Sequence, residues 1–355
     1  MNKTALLSAL ILLLCGCTAD DDTTTLTEGT ISFDVATQPG TRGSVIGGTA
    51  LPATESFRVY AWKTVGGVTS AMMASDAVDT ESNVVSNQQG VWTTKRRYYW
   101  PTDNDATVSF YAVYPKGLAV ERSGDRVSVD FSVPADVSRQ ADIMTAKTEG
   151  VSLATSQNGA AQLGFRHITS QVSSRARLAA HFAGWRVDVR GIRLCNVNSR
   201  GTYSYGSGTV TPASPAVRQH YDFVMAANSV TVDSPAESDI KALTSPTDVA
   251  MLMPQTLTAW DRETETGSSG APSTTGSYLA IDCTITDSDG HQAFSGLTYV
   301  PLSGTWEAAR HYGYLLEFGS GYQGDGEVTV RNIGISCTIT DWLPGNNDHV
   351  DISQD

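Results

Sequence analysis

Apolar and polar residues alternate along most of this chain, in short runs stopped by Pro, Gly, Asn or Asp. That period of two predicts strands. Ile31-Ser32-Phe33-Asp34-Val35 is the first run, and residues 36–53 break it with Pro39-Gly40 and Gly47-Gly48. Ser56–Trp62, Lys95–Trp100 (KRRYYW, stopped by Pro101) and Val108–Tyr114 follow, and Val127, Val129, Phe131 and Val133 mark one face before Pro134. Ala135–Ala146 has room for one helical turn, and Thr148–Ala161 has the Gly, Ser and Asn content of a crossover. Beyond it, Leu163–Leu178, Trp185–Val197, Tyr221–Met225 and Val249–Leu257 read as strands, with a short helix within Ser234–Ser245 capped by Ser234. Ala259–Ser277 reads as a long exposed loop. A hairpin comes next, Tyr278–Thr286 and His291–Val300 around Asp287-Ser288-Asp289-Gly290. Gly304–Phe318, Val328–Trp342 and a short Val350–Ile352 complete the series.

The expectation is an all-β protein. Its 355 residues suit two domains, so the crossover divides an N-terminal unit, 31–160, from a C-terminal unit, 161–355.

The pattern fails at the N-terminus, MNKTALLSALILLLCGCTADDD. Lys3 precedes an apolar run, Ala5–Leu14, of about ten residues, too short to span a bilayer, which is the make-up of an export signal. Leu14-Cys15-Gly16-Cys17 resembles the bacterial lipobox, which implies cleavage between Gly16 and Cys17 and a diacylated Cys17. Residues 1–16 are then a lipoprotein signal peptide and 17–30 an acidic, Thr-rich tether without apolar periodicity. Asp20-Asp21-Asp22 resembles the acidic signal that carries lipoproteins of the Bacteroidales to the cell surface; the plainer reading is a solvated charge run.

Composition narrows the chemistry. Lys plus Arg number 24 against 37 Asp plus Glu, a formal charge of −13, and an acidic surface argues against nucleic acid as a partner. Of five cysteines, Cys195, Cys283 and Cys337 remain once Cys15 leaves and Cys17 is lipidated. They sit in strand-like runs, an odd number without C-x-x-C spacing, and read as buried thiols. None of the six histidines lies in H-E-x-x-H, and neither G-x-S-x-G nor a phosphate-binding loop occurs. Asp287-x-Asp289-Gly290 fails as a calcium loop because the fifth position is His291 and the Gly comes too early. Lys95-Arg96-Arg97 beside Tyr98-Tyr99-Trp100 has the make-up of a nucleic-acid or glycan platform, but alternation in a strand would put at most half of it on one face. No catalytic, cofactor-binding or metal-ligating residue is assigned.

Several strings, in order, resemble the fimbrillin family of the Bacteroidales, pilins and pilin-like lipoproteins. They are Ile31-Ser32-Phe33 with the Thr41-Arg42 loop, Ser56–Ala61, Tyr98–Pro101, Phe110–Pro115, Asp142–Ala146, Phe165–Ile168, Met253–Thr256 and Trp306–Tyr314. The resemblance implies two tandem transthyretin-like β-sandwich domains behind the signal peptide, no catalysis, and an outer-membrane lipoprotein at the cell surface or in a fimbrium. It also implies a maturation step, in which an arginine-specific protease cuts between Arg42 and Gly43 and removes Ile31–Val35 with the leader. A strand from another pilin subunit would then fill the groove. The alternative is a surface lipoprotein that never polymerises and binds a glycan or host protein through loops such as 259–277. A glycan hydrolase with paired carboxylates has no support in the spacing.

Overall fold

The computed structural model describes residues 29–37, 51–74, 78–264, 272, 275–321 and 331–341, and the backbone of 352–353. Gly16, Cys17, Asp20-Asp21-Asp22, Arg42 and Gly43 lie outside the described residues, as do Trp342 and residues 265–271 of the long loop.

The first ten strands are β1 (Ser32–Thr37), β2 (Ser56–Val65), β3 (Val68–Met73), β4 (Val84–Gln88), β5 (Val91–Thr94), β6 (Thr107–Tyr114), β7 (Val120–Ser123), β8 (Arg126–Ser132), β9 (Met144–Val151) and β10 (Ala160–His167). Eight of them form one sheet in the order β3-β2-β4-β5-β1-β10-β9-β6, and β6 also pairs with β2 from Thr107↔Thr64 to Val113↔Arg58. The hydrogen-bonded circuit from β2 round to β6 is therefore closed, with β3 appended. Closure removes the unpaired edges that an open sheet would present. Alternate residues point into the ring, where Phe33, Phe57, Val59, Trp92, Phe110, Leu163 and Phe165 pack as one core.

The remaining strands are β11 (Ser170–Leu178), β12 (Arg186–Asn198), β13 (Arg200–Ser204), β14 (Thr209–Pro212), β15 (Arg218–Asp222), β16 (Val230–Val232), β17 (Lys241–Ala242), β18 (Ala250–Leu252), β19 (Thr256–Leu257), β20 (Tyr278–Thr286), β21 (Gln292–Pro301), β22 (Gly304–Thr305), β23 (Arg310–Phe318), β24 (Ile333–Asp341) and β25 (Ile352–Ser353). One sheet runs β17-β11-β23-β24-β25 and another β15-β12-β20-β21, while β14-β13-β8-β7 makes a third. Val172, Ala176 and Leu316 of the first share a core with Val189, Ile192 and Ile281 of the second. Tyr60, Tyr111 and Val113, on the outward side of the ring, join that same core through Val129, Phe131 and Tyr203 of the third sheet.

The all-β expectation holds, and several local expectations change. Leu163–Leu178 is two strands in two sheets. The inward set switches there from odd positions, Leu163 and Phe165, to even ones, Val172 and Ala176. The division expected between 160 and 161 falls at the start of β10, which pairs with β1 and β9 in the ring, and β8 pairs with β13 across the same division. Lys95–Trp100 contains no strand; Tyr99 makes one isolated bridge, to Thr30, and the cations of the run stand in solvent. Helical structure among the described residues is limited to three single turns, Val137–Arg139, Ala180–Phe182 and Glu237–Asp239. The first lies where one turn was expected. The third starts at Ala236 without a side-chain cap, and Ser234 instead accepts from the Ala236 amide at 3.2 Å and donates to Asp239 at 2.7 Å. No helix among the described residues is long and apolar enough to cross a membrane.

Candidate assembly site

The sequence neighbour of β1, β2, does not flank it in space. β1 lies between β10, to which it is parallel over six pairs from Ser32↔Ala160 to Thr37↔Phe165, and β5, to which it is antiparallel at Phe33↔Trp92. Its entry is fixed by backbone bonds from the Ile31 amide to the Tyr98 carbonyl at 2.8 Å and from the Trp100 amide to the Gly29 carbonyl at 2.8 Å. The Gly159 carbonyl takes the Ser32 amide at 3.4 Å and the Trp100 indole N–H at 2.9 Å. Gly159 holds φ at +82°, a value that side-chain-bearing residues rarely adopt.

The strand behaves as a plug. Ile31, Phe33 and Val35 are buried in the ring core while Asp34 and Ala36 are exposed. The Phe33 ring meets Phe110 edge-on at 5.6 Å and Phe57 at 6.4 Å. Burying three such side chains contributes about 5–8 kcal/mol, before the cost of ordering the strand. Removing β1 would break the circuit between β5 and β10 and leave a slot with two unpaired edges and an apolar floor. One polar atom is out of step, since the Thr30 hydroxyl is buried without a hydrogen-bond partner.

The other strings of the sequence pattern lock the fold. Asp142 and His167, from two of them, meet at the end of β10, where His167 Nδ1 and an Asp142 carboxylate oxygen lie 2.9 Å apart, both fully buried. The Gln255 side chain donates to the carbonyls of Asn198 at 2.9 Å and Met253 at 3.1 Å, and accepts from the Asn198 amide at 2.8 Å. The Trp306 indole N–H donates to the Tyr314 hydroxyl at 2.9 Å, and the Glu307 amide to the Tyr312 hydroxyl at 2.7 Å. Each of these satisfies a buried polar group that the surrounding core would otherwise penalise.

Arrangements with chemical potential are few. Ser173 Oγ and His311 Nε2 lie 2.8 Å apart, a contact between β11 and β23 that spacing could not reveal. The group at the other ring nitrogen is the Thr340 hydroxyl at 3.5 Å and not a carboxylate, and burial together with Arg175 pushes the imidazole down to about 4. A base that weak, without an orienting acid, does not activate a serine at neutral pH. Asp287, Asp289 and His291 do cluster within 4.8 Å of one another. Asp287 is engaged by the backbone amides of His291 at 2.8 Å and Asp289 at 3.0 Å, bonds that hold its carboxyl below the usual range. Gly290 supplies φ of +86° there, which is the expected hairpin turn.

The architecture has a solved counterpart. A fimbrial protein of Bacteroides vulgatus superposes with a TM-score of 0.58 at 14% identity, covering 88% of this chain and 99% of that one. A Bacteroides uniformis protein assigned to cell adhesion gives 0.46 at 14% identity, with 89% and 99% covered. The fimbrial anchor protein Mfa2 of Porphyromonas gingivalis gives 0.34 at 13%, with 88% and 98% covered. No curated protein sequence matches the chain. The sequence profile described as fimbrillin-like matches residues 41–342, and the chain belongs to the fimbrillin-like family.

Proposed function

We propose that this protein is a structural or adhesive subunit of a fimbrium, without catalytic activity, exported to the cell surface as a lipoprotein anchored through Cys17. Cleavage between Arg42 and Gly43 by an arginine-specific protease separates β1 from the rest of the chain. The slot between β5 and β10 then receives a strand from another subunit. The position of β1 carries this reading: an interior strand of a closed ring, built from the first described residues and joined to β2 only through residues 38–55. A donated strand would satisfy both exposed edges and refill the apolar floor.

The test is addition of an arginine-specific protease to the purified precursor. Loss of the segment through Arg42, a new N-terminus at Gly43, and a ladder of multimers resistant to mild denaturant are expected. A monomer that persists after verified cutting would overturn assembly and favour a surface protein that binds a glycan or host protein. The N-terminal residue recovered from cells reports the anchor, Cys17 for the tethered form and Gly43 for the processed one.

A further inference from the structure

The basic run Lys95-Arg96-Arg97 plays no part in the plug or the core, yet it is not isolated. Lys95 Nζ contacts Asp79 at 3.1 Å and Lys116 Nζ contacts Glu81 at 2.9 Å. Arg58 reaches over the same loop, with Nη1 donating to the Thr80 carbonyl at 2.9 Å and Nε to the Lys116 carbonyl at 2.9 Å. The Arg96 guanidinium stands 5.6 Å from the centre of the Tyr98 ring. Arg58, Lys95 and Lys116 thus gather around the loop that carries Asp79 and Glu81, and the exposed Arg96 and Arg97 follow Lys95 in the chain, on a protein whose formal charge is −13. Beside them, Val78 is 98% exposed and Tyr99 50% exposed.

This patch adjoins the point where the chain enters the fold. Thr30 bridges Tyr99, and the Ile31 and Gly29 backbones bond to Tyr98 and Trp100. Whatever tethers residues 17–28 therefore pulls on the surface that carries the cations. An anionic membrane repels the rest of an acidic protein and attracts only a face of this kind. An exposed Tyr beside Arg and Lys also suits the headgroup layer, where an amphipathic ring and a cation both find partners.

We propose that the surface formed by Arg58, Lys95, Arg96, Arg97 and Tyr99 rests on anionic phospholipid headgroups and orients the precursor with β1 toward the membrane. The orienting role rests on the Cys17 anchor proposed above; the lipid contact does not. Leaving the tether on one side and the slot-closing strand beside it, this face would part from the membrane once β1 is cut away.

The experiment uses the full chain carrying Cys17→Ser, so that no acyl chain contributes, and vesicles of phosphatidylcholine alone or enriched in phosphatidylglycerol. Sedimentation with the enriched vesicles and loss of binding at high salt are expected. Combined Arg96→Ala, Arg97→Ala and Tyr99→Ala should weaken partitioning about tenfold or more with an unchanged thermal transition, while Arg126→Ala with Arg200→Ala on the third sheet should not. Equal binding to both vesicle types, indifference to the triple substitution, or binding to soluble heparin without binding to vesicles would overturn the proposal. Lipid labelling of the unaltered chain is read separately. Labelling without vesicle binding in the Cys17→Ser chain defeats the patch alone, and vesicle binding without labelling defeats the anchor alone.

Discussion

At the scale of single residues, two groups have consequences that can be measured. Thr30 buries a hydroxyl that no group satisfies, at the mouth of the plug. Thr30→Val keeps the shape and removes the unmet polar atom, so stability against denaturant should rise by about 1 kcal/mol. His311 titrates in the opposite sense to a histidine that gains a carboxylate. Its folded pKa is lowered from 6.5 to about 4, first by burial and then by Arg175. Between these values the unfolded chain binds the extra proton, so stability present above pH 6.5 is lost as pH falls toward 4. The loss is at most about 3 kcal/mol. His311→Gln should flatten that part of the stability profile in denaturant titrations across the window, and an unaltered slope would show that another group is responsible.

At the scale of elements, β1 divides cleanly by face. Phe33→Ala should destabilise the precursor by about 3–5 kcal/mol because its ring fills the space between Phe57 and Phe110. Asp34→Ala, on the exposed side, should change stability by less than about 0.5 kcal/mol in the same unfolding assay. This alternation was legible in the sequence, as were β2, β6, β8 and the hairpin of β20 and β21. The neighbours of β1 were not. Its parallel pairing with β10 joins residues 128 apart, Ser32 and Ala160, and no local pattern encodes a non-local register. Lys95–Trp100 misled for a related reason, since strong β-formers mark a tendency that pairing must realise. Here the backbone partners are divided, Val84 and Ser82 taking the Lys95 and Arg96 amides and Gly29–Ile31 meeting the last three residues, so that no continuous ladder forms.

At the scale of the whole molecule, the three thiols of the described residues lie in β12, β20 and β24, all buried. Burial pushes Cys195 up to about 11 and Cys283 and Cys337 to about 12, so none carries appreciable thiolate at neutral pH. Native protein should resist a thiol reagent at these positions, and labelling should follow unfolding of the core that the three sheets share with the ring. Labelling of Cys337 alone in native conditions would show that β24 opens independently. Length and a Gly-rich crossover suggest two units, 31–160 and 161–355, and no local pattern announces this shared core. Tyr205, beyond β13, donates to the Ala112 carbonyl of β6 at 2.6 Å, a contact across 93 residues.

The plug also lies between two indoles. Trp92 pairs with Phe33 on one side, and Trp100 binds the Gly159 carbonyl at the strand's entry; both are buried, at 8% and 4% exposure. Departure of β1 would wet these two of the chain's seven tryptophans and shift emission to the red, and arrival of a foreign strand would reverse the shift. The molecule thus carries its own optical record of whether the slot is occupied, and Trp92→Phe would halve the signal without touching the other five.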